Sequence, residues 1–238
     1  MMKKSNTLIK YIIEGSIVFL SVFLSFYITD VNREKNMKER KNILLKDLSN
    51  SMIQDTLQIY SYIAEKEIIL KSWSLIRDDI DSNHKILSDD EFFMEYEKGG
   101  VGRTFMSRNG IFNQMISTGN IELIENYKLK NNLIEIFNHL RARNESTTNL
   151  IDRRVFLVNQ PLIDDKFRIK RNLYGEKALT ASNKIESYNF NKSFYLSNRF
   201  YEMINNSLGY TYYYKALLEE MLTIYRESII LIDLEIKK

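Results

Sequence analysis

The stretch Leu8–Ile28, LIKYIIEGSIVFLSVFLSFYI, decides how this chain is read. A helix that crosses a bilayer needs about 20 mostly apolar residues. This run supplies them, with one acidic residue, Glu14, near its start and no charge from Gly15 to Ile28. An apolar run behind a basic tail, here MMKKSNTLIK, also describes a cleaved secretory signal. Cleavage needs small residues in an A-x-A-like arrangement after the apolar core. Here the core runs into Phe26-Tyr27-Ile28-Thr29-Asp30, and the first alanine is Ala64. The expectation is a retained transmembrane helix over 8–28, preceded by an N-terminal tail over 1–7.

At 100° per residue, Lys10, Glu14, Ser21, Ser25 and Asn32 fall on one narrow stripe, and the other faces of the span are Ile, Val, Phe and Leu. A polar stripe in hydrocarbon should face protein or water, because a lone charge there costs several kcal/mol. Small serines also let two helices approach closely. With one span per chain, the partner helix comes from another subunit, so these five residues are the expected membrane-interface and assembly set of a homo-oligomer. Glu14 has two readings. It lines an ion or proton pathway in an oligomeric pore, or it lies near the membrane surface, neutralised by Lys10 one turn away.

Outward from the anchor, the 238-residue chain holds 34 Lys+Arg against 31 Asp+Glu, a formal net charge of +3. That near balance gives no field for a polyanion, and no nucleic-acid partner is expected. Roughly 205 residues follow the anchor, enough for one sizeable core. A single proline and the lack of any low-complexity linker point to long helices rather than several tethered domains. No cysteine is present, which suits an oxidising compartment without requiring one. Lys and Arg flanking the span are more numerous on its C-terminal side, but large domains translocate largely regardless of such charge.

From Thr29 to Arg77 there is neither Pro nor Gly. Leu44, Leu45, Leu48, Met52, Ile59, Tyr62, Ile63, Leu70 and Trp73 form an apolar stripe about 120° wide, interrupted by Asp55 and Lys66. A stalk helix over 29–81 is expected to continue the span, with Leu44, Leu48, Met52, Ile59, Ile63, Leu70 and Trp73 as its packing face. A helical bundle over 82–238 is expected to pack back on it. Within that bundle Ser88-Asp89-Asp90-Glu91 has the form of a capping box. The run Gly99-Gly100-Val101-Gly102 reads as a turn, since no Lys-Ser/Thr follows it. A short helix over 108–118 closes at Gly119. A long helix begins near Lys128 with the stripe Leu129, Leu133, Ile136, Phe137, Leu140, Ile151, Val155 and Val158, on which Asn144 and Thr147 also sit, and ends at Gln160-Pro161. Lys166–Arg171 alternates basic and apolar residues and suits a short strand or an interfacial strip. From Ser193 the chain is helical again, and Leu208–Ile236 is expected to return along the stalk. The fold class is all-α: a transmembrane helix running into a stalk, then an elongated antiparallel bundle.

Chemistry is harder to find than architecture. Without cysteine there is no thiolate catalysis and no Cys-rich metal site. The two histidines, His84 and His139, make no His-rich cluster, and no GxSxG, Walker or dinucleotide fingerprint occurs. No catalytic residue, metal or cofactor is expected.

The anchor Tyr11-Ile12-Ile13-Glu14, the exit Asp30-Val31-Asn32-Arg33-Glu34, the helix start Leu44-Leu45-Lys46-Asp47-Leu48 and the turn Met115–Ile124 (MISTGNIELI) together carry a likeness. They resemble a family of bacterial single-pass membrane proteins catalogued as a domain of unknown function, which carry an early-span Glu, an Asn-Trp-Asn-like exit and a Ser-Gly-Asn-Leu-x-x-Ile turn. Val31 stands where that family has its exit tryptophan. The resemblance implies a cytoplasmic N-terminal tail and a helical domain outside the inner membrane, and it supplies no activity. The expected function is a non-enzymatic, homo-oligomeric membrane protein whose helical domain senses or scaffolds a protein partner. An ion-conducting oligomer with Glu14 in its pathway and a membrane-anchored defence or stress effector are the alternatives.

Overall fold

No proline interrupts residues 2–81, and they form one helix, α1 (Met2–Asp81). Its 80 residues span about 120 Å at 1.5 Å each. The computed structural model describes residues 2–100, 102–174 and 182–237, with the backbone alone for 2–13, 171–174 and 182–184. Helix α2 (Asp89–Lys98) follows a sharp reversal and starts on the expected capping box: Ser88 accepts from the Glu91 amide, and the Glu91 carboxylate accepts from the Ser88 amide. Helix α3 (Gly110–Ser117) begins two residues later than the sequence suggests and closes at Gly119, whose φ of +71° is the left-handed conformation glycine takes without strain. A 3-10 turn, Asn120–Leu123, leads to α4 (Tyr127–Ile134), capped by Asn126.

Helix α4 runs through a π segment, Glu135–Leu140, into α5 (Arg141–Arg154), then through a second, Val155–Asn159, into α6 (Gln160–Lys166). The expected stop at Gln160-Pro161 is therefore absent, and helical structure continues to Lys166. The wide turn explains it. The Gln160 amide donates five residues back, to Val155, and Pro161 falls in the first turn of α6, where no N–H is required. The wide turn also re-aims the expected stripe: Val155 is half-buried and Val158 is exposed.

Strands β1 (Arg168–Tyr174) and β2 (Ser182–Asn189) form an antiparallel hairpin with a bulge between Lys170 and Arg171. The alternating basic run is thus part of a strand, inside an otherwise all-α fold. The short α7 (Lys192–Tyr195) and the 39-residue α8 (Asn198–Ile236), capped by Ser197, complete the chain.

Helix α8 returns antiparallel along α1, and two apolar clusters form between them. The first joins Leu44–Tyr62 of α1 to Phe105, Phe112, α4 with its π segment, and Tyr214–Ile232 of α8. The second joins Ile69–Ile80 to Phe92, Phe93, Ile163, Phe167 and Phe194–Ile204. Leu44, Leu48, Met52, Ile59 and Trp73 are buried as expected, and Ile63 packs half-buried on the first cluster. Leu70 is a correction: it is half-buried, and Ile69 takes the core position. Ile69, Trp73, Ile76 and Ile80 repeat at four, three and four residues, which leaves Leu70 one step around the helix.

The reversal after α1 is held by Asp79. Asn83 and His84 both have positive φ, 58° and 59°, a cost of roughly 1–3 kcal/mol each for side-chain-bearing residues. The buried Asp79 carboxylate accepts from the amides of Ile86 (2.8 Å) and Leu87 (2.9 Å), from the Tyr195 hydroxyl (2.6 Å), and contacts His84 Nδ1 (2.6 Å). His84 Nε2 reaches Asp89 at 2.8 Å, and its ring stacks on Phe190.

Candidate functional site

Two features of α1 lie outside the needs of the core. One is its outward face. Glu14–Asp81 contains the one helix among the described residues that is long and apolar enough to cross a membrane, and its apolar window is uncovered. Residues 14–40 are exposed on every side, and burial starts at Lys41. Lys41 pairs with Glu235 at 3.0 Å, where both side chains are buried, so the folded bundle begins about 18 Å of helix beyond Ile28. Glu14, Ser21, Ser25 and Asn32 are exposed on this bare helix, while the Lys10 side chain lies outside the described residues. The Ser21 hydroxyl donates to the Ile17 carbonyl at 2.8 Å. Its polarity is therefore satisfied within the helix, and what it offers a neighbour is small size.

Within the bundle the same helix leaves Ile53, Leu57, Tyr60, Ala64 and Ile68 exposed, at spacings of four, three, four and four. This row is absent from the sequence-derived set because the wider buried stripe dominates the pattern; its signal is apolar recurrence on the opposite face. At 100° per residue the row's centre lies within about 40° of the centre of the polar stripe read from the sequence nearer the start of α1. Helix α8 flanks it: the Arg226 guanidinium sits 4.6 Å from the centroid of the Tyr60 ring. Ile230 and Leu234 of α8 are exposed as well.

The second feature is a cavity of about 200 Å³ where the two apolar clusters meet, bounded by α1, the glycines Gly99, Gly100 and Gly102, α5 with its second π segment, and α8. Trp73, packed edge-on to Tyr96 with centroids 5.6 Å apart, and Tyr214 give it aromatic walls. The glycines permit that closeness. A Cβ on Gly99 would meet the Trp73 ring at 2.7 Å, and one on Gly102 would meet Lys66 Nζ at 2.0 Å. Gly99→Ala is expected to cost roughly 1–3 kcal/mol by overpacking and to move the emission of Trp73, the only tryptophan, in a fluorescence-monitored urea titration.

Lys66, an interruption of the stripe in sequence, is buried at the cavity wall. Burial pushes its ammonium down, and the Glu65 carboxylate at 3.4 Å only partly offsets this. Glu65 is itself engaged by the Arg103 amide at 2.8 Å and Nε at 2.6 Å. Arg154 and Asn159 also line the cavity, while Arg154 Nε and Asn159 Oδ1 themselves are buried with no hydrogen-bond partner among the described residues.

The other interruption, Asp55, is fully buried in the first cluster. Burial raises its carboxyl, against the Arg108 amide at 3.0 Å and the Arg108 guanidinium. Asn144, on the α5 stripe, donates to the Phe105 carbonyl at 2.9 Å. These polar groups lock loops onto helices. Exposed His139 reaches Glu135 one turn back. Among the described residues no group of three His, Cys, Asp or Glu side chains is disposed to hold a metal ion. No family model, curated protein or solved structure matches the chain.

Proposed function

We propose that this chain is a non-enzymatic, single-pass membrane protein that self-associates along the outward face of α1 and presents its helical domain as a sensor or scaffold for a partner. The observation that carries the reading is the phase of α1. One direction of the helix bears the polar, small-residue stripe of the span and the exposed row Ile53, Leu57, Tyr60, Ala64 and Ile68. Two copies standing in one bilayer hold their α1 helices parallel, so identical residues meet at identical heights. A self-complementary interface then forms about an axis along the membrane normal. In this reading the domain stands outside the inner membrane of a bacterium, as the family resemblance implies.

Because the chain has no cysteine, one substituted thiol reports the seam directly. Leu57→Cys is expected to give a cross-linked dimer on mild oxidation of native membranes, and Glu122→Cys, exposed on the 3-10 turn away from the seam, is not. In micelles, Ile53→Lys/Leu57→Lys is expected to lower the oligomeric mass, and Ser21→Leu/Ser25→Leu to lower it further. A strictly monomeric wild type together with no Leu57→Cys dimer would end this reading.

A further inference from the structure

Two lysines are buried among the described residues. Lys41 is matched by Glu235 at 3.0 Å in the seam between α1 and α8. Lys66 has no such match. Its ammonium has three N–H groups to place, and among the described residues its one acceptor is Glu65 Oε1, at a long 3.4 Å. That carboxylate is already engaged by the Arg103 amide and Nε at 2.8 and 2.6 Å. Lys66 Nζ lies against Gly102, where any Cβ would collide with it, and 5.5 Å from the centroid of the Tyr214 ring. Gly102, Tyr214 and Lys66 itself all line the cavity of about 200 Å³. A buried amine thus stands in the wall of an internal space with most of its hydrogen-bonding capacity unused.

The walls define what fits beside that amine. Trp73, Tyr96 and Tyr214 offer flat apolar surface, and a cavity of about 150 Å³ already holds a benzene ring. Charge around the space balances, with Lys66, Arg103 and Arg154 against Glu97, Asp152 and the adjoining Glu65. No net field draws in an anion, so the acceptor that suits Lys66 is a neutral carbonyl. A lysine desolvated in a pocket beside a second cation is also an activated nucleophile. Burial pushes Lys66 below the ordinary lysine range, Glu65 pulls it only partly back, and Arg103 adds to the lowering. At any one pH its neutral form is therefore more abundant than that of an exposed lysine. We infer that Lys66 is a covalent capture site for a small aryl aldehyde, held as an imine on Nζ with its ring against Trp73, Tyr96 and Tyr214. The ammonium first passes one proton to solvent by way of the partly exposed Glu65 carboxylate. Nζ then bonds to the carbonyl carbon, and the carbonyl oxygen takes up a proton from the nitrogen. That oxygen leaves as water with the second nitrogen proton, a C=N bond remains, and nothing is oxidised or reduced. The step is stoichiometric and is reversed by hydrolysis. It gives the domain a chemical signal to sense, within each chain and without need of self-association.

The test adds limiting benzaldehyde to the full-length protein in phosphatidylcholine nanodiscs, whose lipid carries no primary amine. Sodium cyanoborohydride reduces any imine to a stable benzylamine, and peptide mass spectrometry compares Lys66 with Lys71, which is exposed on the same helix. Benzylation at Lys66 is expected to exceed that at Lys71 by at least about tenfold, the factor that burying one aromatic ring supplies. Glyceraldehyde, a carbonyl without a ring, is expected to label Lys71 at least as fully as Lys66. Trp73, the only tryptophan, lines the same cavity. Once free aldehyde is removed, its emission should differ between trapped and untreated wild type and not between trapped and untreated Lys66→Met. The wild-type comparison needs no variant and stands even if Lys66→Met does not fold. Benzylation at Lys66 no greater than at Lys71, or the same preference for Lys66 with glyceraldehyde, would each overturn the inference. Neither outcome depends on whether the protein is oligomeric.

Discussion

Asp79→Asn is expected to destabilise the folded domain by about 3–5 kcal/mol, the range for removing one partner from a buried charged network. The carboxylate is fully buried and serves two amides, a hydroxyl and an imidazole at once. A carboxamide turns an NH2 towards groups that themselves donate, and each donor left unmet costs about 1–3 kcal/mol. The damage reaches backbone geometry too. Consecutive positive φ values at Asn83 and His84 persist only while the surroundings hold them, and Asp79 is the principal hold. Urea unfolding of the full-length protein in micelles, followed by Trp73 in the adjoining cluster, measures the loss. A change below 1 kcal/mol would show that the reversal is held elsewhere.

The same network sets a pH window. Burial opposes the charge on His84, but the hydrogen bonds its ring donates to the Asp79 and Asp89 carboxylates outweigh it and raise its pKa above 6.5. A raised histidine contributes stability that is complete below 6.5 and is lost as pH climbs through the folded-state value. Burial likewise opposes the charge on Asp79, and His84, Tyr195 and the amides of Leu87 and Ile86 reverse it, leaving the carboxyl below 3.8. That contribution is complete above 3.8 and lost as pH falls through the folded value. Stability from the reversal therefore peaks between about pH 4 and 6.5 and declines on the alkaline side. His84→Phe, which keeps a ring against Phe190, should abolish the alkaline decline in a pH series of the same unfolding curves.

What the sequence shows and what it hides divide along one line: local period against contacts distant in sequence. The long apolar N-terminal helix, the capping box at Ser88, the left-handed Gly119 and the burial of Leu44, Leu48, Met52 and Ile59 are written in spacings of three, four or a single turn, and they are legible. The helix through Pro161 is hidden because a π segment is chosen by packing rather than by composition. Asp55 and Lys66 look alike as interruptions of one stripe. Arg108, 53 residues on, makes the first a structural lock, and Gly102 and α8 make the second a cavity wall. The cavity is hidden for the same reason, since it exists only where the two clusters fail to merge.

Glu235→Gln is expected to lower stability by about 3–5 kcal/mol, and Lys41→Met/Glu235→Met to recover most of that loss. The pair is buried, with side chains 2% and 0% exposed. Burial works against the Glu235 carboxylate, but the amides of Glu125 and Asn126 and the Lys41 ammonium hold it below the usual carboxylate range. Changing Glu235 alone strands an ammonium in an apolar seam. Changing both removes two desolvation costs and substitutes methionines that adapt to the gap. Full recovery is not expected, because the amides of Glu125 (2.9 Å) and Asn126 (3.2 Å) lose the carboxylate as well. Those amides belong to the turn before α4, so one carboxylate ties α1, the last turn of α8 and that turn together at the end of the bundle nearest the span.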